Sequence, residues 1–362
     1  MKVRKKGICI ILILFLNTFV CFAGKWKIYT PGVDNPENVF FSSSKDGCIT
    51  GSALNGNLPT FPIHWTNDGG KKWHSAKIQN NIKNLQDYNL TGLWFSNKNI
   101  GWATGSGPKN KSILLKTTDG GKTWKQKILP KGITGVFRVW FDKKGEKGWL
   151  VSYSGPIWKT ENAGKTWTII SNQINEVHPA FYAFSFSHLV LAGTNIYLTE
   201  NAGKTWNIIN LNLGPNGSIS AISFAPDTKT TGWATGSEGN QIENGGWGQL
   251  KTQFVLKTTD GGKIWIMEKL PIKKLGFLTD VYAISSQEAW VSSFYGYAWP
   301  NPRIVPPRLF ETTDGGKIWN DKTKYLISIR KIFFLNPKKG WAVGGQGGSP
   351  YEPPMAVLIY HK

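Results

Sequence analysis

Cysteine is scarce in this sequence, which contains three cysteines among 362 residues. Cys9 and Cys21 lie near the N-terminus, in a segment that resembles an export leader, and Cys48 is the third. Once the leader is removed, a single cysteine remains and no internal disulfide can form. The composition therefore excludes a small disulfide-stapled scaffold, and stability must come from packing, which suits a bacterial periplasm.

A long apolar segment is also missing, because the run from Ile8 to Leu16 is shorter than the ~20 residues that a spanning helix needs. The run follows a basic start and precedes a small-residue exit ending at Ala23. This pattern predicts a secretory signal peptide over residues 1–23, which leaves residues 24–362 as a single exported domain, periplasmic or secreted. A membrane anchor and a lipid anchor on Cys21 remain as alternatives.

Acidic residues are few, with 22 Asp and Glu against 43 Lys and Arg, so the formal net charge is +21. Loss of the four cations of the leader lowers it to +17. A positive balance of this size favours partners with acidic surfaces. A strongly basic chain often binds nucleic acid, but a secretory signal directs this protein to a compartment where nucleic acid is not the expected partner. We therefore expect a protein partner and no nucleic acid.

The sequence is rich in one repeated motif, "TTDGGKTW" at residues 117–124, which recurs five times with one or more substitutions. The tryptophans that end the six copies are 39 to 59 residues apart. A second signature, typified by "GWATGSG" at residue 101, occurs seven times between them and follows alternating apolar stretches. Periods of this length indicate propeller blades, and each unit predicts four short antiparallel strands.

The second signature occurs seven times and the Asp-containing motif six times, and this difference indicates how a ring of blades would close. The seventh unit has strands near residues 329–335, 340–344 and 355–361, and then the chain stops. The N-terminal stretch "GKWKIYT" resembles the strand that follows each motif, so we expect Trp26 and its neighbours to complete the last blade. The prediction is an all-β, monomeric, seven-bladed β-propeller; six blades with loose ends is the alternative.

The repeated motif has the composition of a turn. Its glycines allow left-handed backbone, and its carboxylate can accept hydrogen bonds from the amides of its own turn. Two copies carry Asn in place of Asp, which keeps the turn but makes a poor catalytic group or calcium ligand. We therefore expect a structural role, with no metal and no cofactor. The residues concerned are Asp68, Asp119, Asn162, Asn201, Asp260 and Asp314, and Trp73, Trp124, Trp167, Trp206, Trp265 and Trp319.

The six motifs resemble the Asp-box, or bacterial neuraminidase repeat, with the pattern Ser/Thr-x-Asp-x-Gly-x-Thr-Trp. Together with the "GWATG" strand they look like the photosystem II stability and assembly factors of cyanobacteria and chloroplasts, and like their relatives in other bacteria. The resemblance covers nearly all of residues 24–362. It implies that each Asp-box joins the third and fourth strands of a blade, away from any catalysis. It also implies a non-enzymatic module that binds a membrane protein or its assembly intermediate.

Long, variable connections between second and third strands predict a binding face on the rim opposite the Asp-boxes. They are rich in aromatic residues, glycine and proline, and their alternative role is to pack over the channel. The predicted contact residues are Trp247, Tyr295, Tyr297, Trp299, Arg303, Arg308 and Tyr351.

The alternative function is a sialidase-like glycoside hydrolase, because Asp-boxes also occur in that class. Such an enzyme needs three arginines for the substrate carboxylate, a Tyr nucleophile and acidic partners. Residues 24–362 hold four arginines: Arg138, Arg303, Arg308 and Arg330. No paired carboxylates and no Ser/His/Asp pattern stand out, so the sequence favours a binding protein over an enzyme.

Overall fold

The computed structural model describes residues 26–29, 35–52, 62–79, 82, 85–153, 155–171, 174, 176, 178–214, 217–239, 250–268, 270–271, 276–294, 296–298, 303–323, 327–345 and 356–361. The predicted signal peptide lies outside these residues. Within the described part of the chain, no helix has the length and apolar character required to cross a membrane.

Seven four-stranded antiparallel sheets form the blades of a propeller. The first strand of the chain, β1, is Trp26–Tyr29. Blade one comprises β2 (Pro36–Phe41), β3 (Gly47–Gly51), β4 (Ile63–Thr66) and β5 (His74–Ser75). The short strand β6 (Lys77–Ile78) pairs in parallel with β10 of blade two, which comprises β7 (Asn89–Phe95), β8 (Gly101–Ser106), β9 (Ser112–Thr117) and β10 (Thr123–Lys127). Two 3₁₀ turns, Leu85–Asp87 and Pro108–Asn110, flank β7 and β9.

The later blades repeat the pattern. Blade three comprises β11 (Val136–Phe141), β12 (Gly148–Ser152), β13 (Ile157–Thr160) and β14 (Thr168–Ser171). Blade four comprises β15 (Ala180–Ala183), β16 (Leu189–Ala192), β17 (Asn195–Thr199) and β18 (Asn207–Asn210). Blade five comprises β19 (Ser218–Phe224), β20 (Gly232–Gly239), β21 (Leu250–Thr258) and β22 (Ile266–Glu268).

Blade six carries an inserted hairpin, β25 and β26, between its second and third strands. Its strands in chain order are β23 (Leu278–Ala283), β24 (Ala289–Ser293), β25 (Gly296–Ala298), β26 (Arg303–Val305), β27 (Leu309–Thr312) and β28 (Asn320–Asp321). Blade seven comprises β29 (Ile329–Asn336), β30 (Lys339–Gly344) and β31 (Ala356–His361), with β1 as its fourth strand. The seven-bladed prediction is confirmed, and the six-bladed alternative is wrong.

The second strand of each blade has both faces buried because it packs between the two neighbouring blades. The tryptophan of the repeated Gly-Trp pair is fully buried at Trp102, Trp149, Trp233 and Trp341, and Trp290, which follows Ala289, is 1% exposed. The preceding glycine is needed for space: a Cβ on Gly148 would lie 2.5 Å from the ring of Phe141 on the paired strand. The Gly-Trp pair thus marks the second strand of blades two, three, five and seven.

Aromatic stacking joins one blade to the next. The ring of Trp341 in blade seven lies parallel to Phe41 of blade one, with centroids 3.5 Å apart, and Trp102 stacks on Phe141 of the next blade at 3.8 Å. An Asp-box tryptophan meets the same phenylalanine edge-on from within its own blade, as Trp73 does at Phe41. Each such phenylalanine therefore lies between two indoles, and this contact fixes the angle between sheets.

The ring closes through β1, as the sequence predicts. This strand pairs antiparallel with β31, from Trp26 opposite Tyr360 to Tyr29 opposite Val357. Trp26 is 5% exposed and lies 5.1 Å from the ring of Tyr360 and 5.7 Å from that of Trp290 in blade six. The N-terminal strand therefore packs across the boundary between blades six and seven.

Trp26→Ala is expected to lower the free energy of unfolding by about 3–5 kcal/mol, because it removes a buried indole from the strand that closes the ring. Urea denaturation followed by tryptophan fluorescence and circular dichroism measures the change. Lys27→Ala is the matched control, since Lys27 is exposed on the same strand. An equal effect of the two substitutions would contradict the role assigned to the N-terminal strand.

Candidate functional site

The Asp-boxes are hairpin turns between the third and fourth strands, and their polar groups bind within the turn. Oδ1 of Asp119 accepts hydrogen bonds from the hydroxyl of Thr117 at 2.8 Å and from the amide of Thr123 at 2.9 Å. Its Oδ2 accepts from the hydroxyl of Thr123 at 2.6 Å. Gly120 and Gly121 have φ values of 75° and 93°, which a side chain would strain. Both oxygens of this carboxylate therefore accept hydrogen bonds from within the turn.

The two asparagine versions have the same geometry. Oδ1 of Asn162 accepts from the amide of Thr166 at 2.9 Å, and its Nδ2 donates to the hydroxyl of Thr166 at 2.8 Å. Asn201 makes the equivalent bonds to Thr205. A negative charge is therefore not required for the turn. Among the described residues, no group of three or more His, Cys, Asp or Glu side chains is arranged to hold a metal ion.

The other end of the propeller, where the second and third strands connect, opens into the central channel; we call it the loop rim, and the opposite end the Asp-box rim. Side chains from the starts of the first strands line a cavity of about 800 Å³ at the loop rim. A second cavity of about 540 Å³ lies deeper and is lined by residues from all seven first strands, including Phe40, Trp94, Tyr182 and Phe333. The channel thus has a polar mouth and an aromatic interior.

Bulges shape this mouth. Six of the seven first strands shift register near their start, and β15 alone pairs regularly. A bulge adds one residue and redirects a side chain. Consecutive residues such as Glu37 and Asn38, or Arg330 and Lys331, therefore both line the cavity. The bulged residues also join blades: Thr279 donates to the carbonyl of Ile329 at 2.6 Å.

The mouth carries charged side chains of both signs. Lys331 Nζ lies 2.7 Å from Oδ1 of Asp280, whose residue is 2% exposed and whose Oδ2 accepts from the amide of Ile332. Arg330 pairs with Glu37, which connects blade seven to blade one. These two ion pairs bridge the innermost strands and are compensated within the protein.

Arg138 differs from these cations because it forms no ion pair with any carboxylate among the described residues. Its Nη1 donates to the carbonyl of Thr91 at 3.2 Å, and its guanidinium lies 4.7 Å from the ring centroid of Phe137. Burial lowers the pKa of Arg138, although nearby anionic groups act in the opposite direction. Its position, bordering both cavities, leaves a half-buried cation available for a ligand anion.

His178 and Tyr153 lie beside Arg138 at the mouth. The His178 ring meets that of Tyr153 edge-on at 4.6 Å, and burial followed by the charge of Arg138 lowers the pKa of the imidazole. A neutral imidazole adds no second cation at physiological pH. The positive character of this side of the mouth therefore comes from Arg138.

The predicted contact residues fall mostly outside the described part of the chain. Trp247, Tyr295, Trp299 and Tyr351 are not among the described residues. Tyr297 and Arg303 lie on β25 and β26, the inserted hairpin of blade six, with only their backbone described. Arg308 is described: its Nη1 donates to Oδ2 of Asp321 on the outermost strand of that blade at 3.1 Å. These residues remain predicted contacts.

The channel-mouth residues were not predicted as binding residues, because nothing in the sequence identifies the bulges that direct them inward. Arg138 and Arg330 were noted only as members of a possible arginine triad. The structure places these two at the mouth and Arg308 at the outer edge of blade six. The described arginines therefore do not converge in the way that recognition of a sialoside carboxylate requires.

Comparison with known proteins gives consistent matches. The family model described as photosynthesis system II assembly factor YCF48 matches residues 23–181. The chloroplastic photosystem II stability/assembly factor HCF136 of Arabidopsis thaliana is 26% identical over 307 residues, which are 78% of this chain and 68% of that protein. The solved structure of YCF48 bound to D1 peptide has a TM-score of 0.68 at 20% identity, and the match covers 93% of this chain and 97% of that one.

Glycoside hydrolases share the architecture. The GH74 enzyme of Niastella koreensis has a TM-score of 0.58 at 16% identity, with 82% of this chain and 46% of that one covered. Identity this low shows the fold alone. Fold and motifs define the class of the protein as an Asp-box β-propeller. Within this class the chain is similar to the photosystem II stability/assembly factors, in agreement with the resemblance of its motifs.

Asp119→Asn is expected to cost less than about 1 kcal/mol of unfolding free energy and Asp119→Ala about 1–3 kcal/mol, because Asn can keep the turn's hydrogen bonds and Ala cannot.

Burial opposes ionisation, but hydrogen bonds from Thr123 and Thr117 outweigh it and lower the pKa of Asp119 below its usual 3.8. The carboxylate's contribution is therefore present above that value and lost as pH falls through the folded-state pKa. Urea titrations at neutral and acidic pH measure both effects.

Asn162→Asp is the reciprocal control, since it places a carboxylate in a turn that has an amide. It is expected to be tolerated at neutral pH and to add acid sensitivity. A loss with Asp119→Asn as large as with Asp119→Ala would mean that the charge itself is needed, against the structural role.

Proposed function

We propose that the protein is an exported, non-enzymatic β-propeller that binds a segment of a membrane protein at the loop rim, in the manner of an assembly factor. The similarity to HCF136 over 78% of the chain carries the proposal. The related YCF48 structure holds a D1 peptide, which supports a photosystem II membrane subunit as the class of partner.

The mouth of the channel suits an extended peptide. The cavity of about 800 Å³ has room for several side chains of a peptide, and hydroxyl-bearing residues of the bulged strands line it. Arg138 offers a cation that forms no ion pair with a described carboxylate, so an acidic side chain or a terminal carboxylate is the expected anchor. The aromatic cavity below can receive an apolar side chain next to that anchor.

The predicted aromatic contacts extend this site outward. Trp247, Tyr295, Tyr297, Trp299, Arg303, Arg308 and Tyr351 belong to connections of the loop rim. We propose that they enclose the part of the partner that lies outside the channel, as aromatic and Arg side chains commonly do in interfaces.

The proposal also covers the export of the protein and its location. Residues 1–23 serve as the export signal and residues 24–362 act as one monomeric domain outside the cytoplasm. The excess of basic residues favours an acidic partner surface. The absence of an assembled arginine triad among the described residues supports a binding function over sialoside hydrolysis.

Arg138→Gln is expected to weaken peptide binding about tenfold or more, since a hydrogen bond to a charged group contributes about 1.5–3 kcal/mol. The measurement is fluorescence anisotropy with labelled, overlapping peptides that span the D1 protein. Lys98→Gln is the control, because it removes one exposed charge on the Asp-box rim. Binding of no D1 peptide, or equal affinities for both variants, would contradict the proposal.

A second experiment separates binding from catalysis. We expect no release of fluorophore from a fluorogenic sialoside above the rate with heat-denatured protein. Release that depends on Arg138 and Arg330 would show an enzyme and would overturn the non-enzymatic assignment.

A further inference from the structure

The most exposed large apolar side chains of the described residues share one location, the outer edge of the propeller. Blades four to six contribute five of them, 53–69% exposed: Ile208, Ile264, Ile266, Met267 and Ile318. Blades two and three continue the series with Ile128 and Ile169. All lie on fourth strands, just after them, or in the Asp-box turns that lead into them. Such a series is unusual because exposed apolar side chains are normally scattered.

The Asp-box turns of blades five and six hold two of these side chains outward. Ile264 and Ile318 occupy the position before the motif tryptophan, where blades one to four carry Lys or Thr. Their amides donate to Oδ1 of Asp260 at 3.1 Å and of Asp314 at 3.0 Å. With the backbone fixed and the tryptophan directed inward, each isoleucine projects from the corner between the Asp-box rim and the outer wall.

Lysines accompany the apolar side chains. Lys204, Lys263 and Lys317 are exposed in the turns of blades four, five and six. The motif carboxylates of blades five and six, Asp260 and Asp314, accept amide hydrogen bonds within their own turns, and blade four has the neutral Asn201 at this position. This outer corner, formed by the five apolar residues and three lysines of blades four to six, therefore presents aliphatic groups beside ammonium groups.

We propose that the outer corner of blades four to six binds the surface of an anionic lipid bilayer. Aliphatic side chains enter the boundary between headgroups and acyl chains, and adjacent lysines contact anionic headgroups, which is the combination that peripheral membrane binding uses. The turns of consecutive blades lie on one rim, so their corners reach a common plane. The positive formal net charge, +21 for the full sequence and +17 without the four cations of the leader, adds long-range attraction to the same surface.

Binding in this orientation turns the loop rim away from the bilayer. The channel mouth then remains open to a segment that extends from a membrane protein, and both sites can be occupied together. The inference depends on the outer edge alone, so it stands or falls separately from the proposal for the channel mouth.

The test is co-sedimentation with vesicles of phosphatidylcholine containing one third phosphatidylglycerol, compared with pure phosphatidylcholine. The protein is purified after export, so all variants share the same N-terminus. We expect binding to the anionic vesicles that decreases with salt. The triple substitution Lys204→Gln, Lys263→Gln and Lys317→Gln is expected to lower the partition coefficient by more than tenfold, at about fivefold per lysine.

A second variant tests the apolar contribution. Ile264→Ser, Ile266→Ser and Met267→Ser together are expected to lower partitioning about tenfold or more, and a thermal melt like that of the unmodified protein shows that the exposed substitutions leave the fold intact. The matched control is Lys109→Gln, Lys111→Gln and Lys131→Gln, three exposed lysines away from the outer corner with the same loss of charge.

Equal losses with the control and the outer-corner lysine variant would mean nonspecific attraction and would overturn the proposal. Full binding by the serine variant, or no binding of the unmodified protein to anionic vesicles, would do the same. Crosslinking of the outer corner to a protein without vesicle binding would assign this surface to another class of partner.

Discussion

The structure depends on closing a ring of sheets that cannot be stable singly. Each blade has two apolar faces, and only the next blade covers them, so the first and last blades must meet. The pairing of β1 with β31 achieves this by joining the two ends of the chain. The face-to-face contact of Trp341 with Phe41 then seals blade seven against blade one. The channel exists because this circle is complete.

The closed ring has two ends with different roles: the Asp-box rim stabilises the blades, and the loop rim opens into the channel. At the Asp-box rim, each motif side chain is engaged by its own turn, and the motif tryptophan packs on its blade. At the loop rim, the bulges of the first strands direct polar and charged side chains into the channel. Stability and recognition therefore use different ends of the same strands. The exposed isoleucines form a third region, on the outer wall.

The sequence predicts the fold well because its signals are local and repeated. The Gly-Trp pair marks the second strand of a blade, because the position of Gly148 must leave room for the ring of Phe141. The Asp-box marks the turn between the third and fourth strands, because its Asp accepts hydrogen bonds from amides of the same turn. The channel mouth could not be predicted in this way. Arg138 and Asp280 line the same cavity because of bulges and long-range packing, and a single sequence contains no signal for strand register. Several predicted contact residues lie outside the described residues and stay predictions.

Hydrogen exchange measured by mass spectrometry, with and without a bound D1 peptide, tests the central claim that recognition occurs at the channel mouth and not at the Asp-boxes. The account predicts slower exchange of amides at the starts of the first strands, around Asn38, Arg138 and Lys331, with unchanged exchange in the six motif turns. Slower exchange confined to the motif turns, with an unaltered channel mouth, would contradict it.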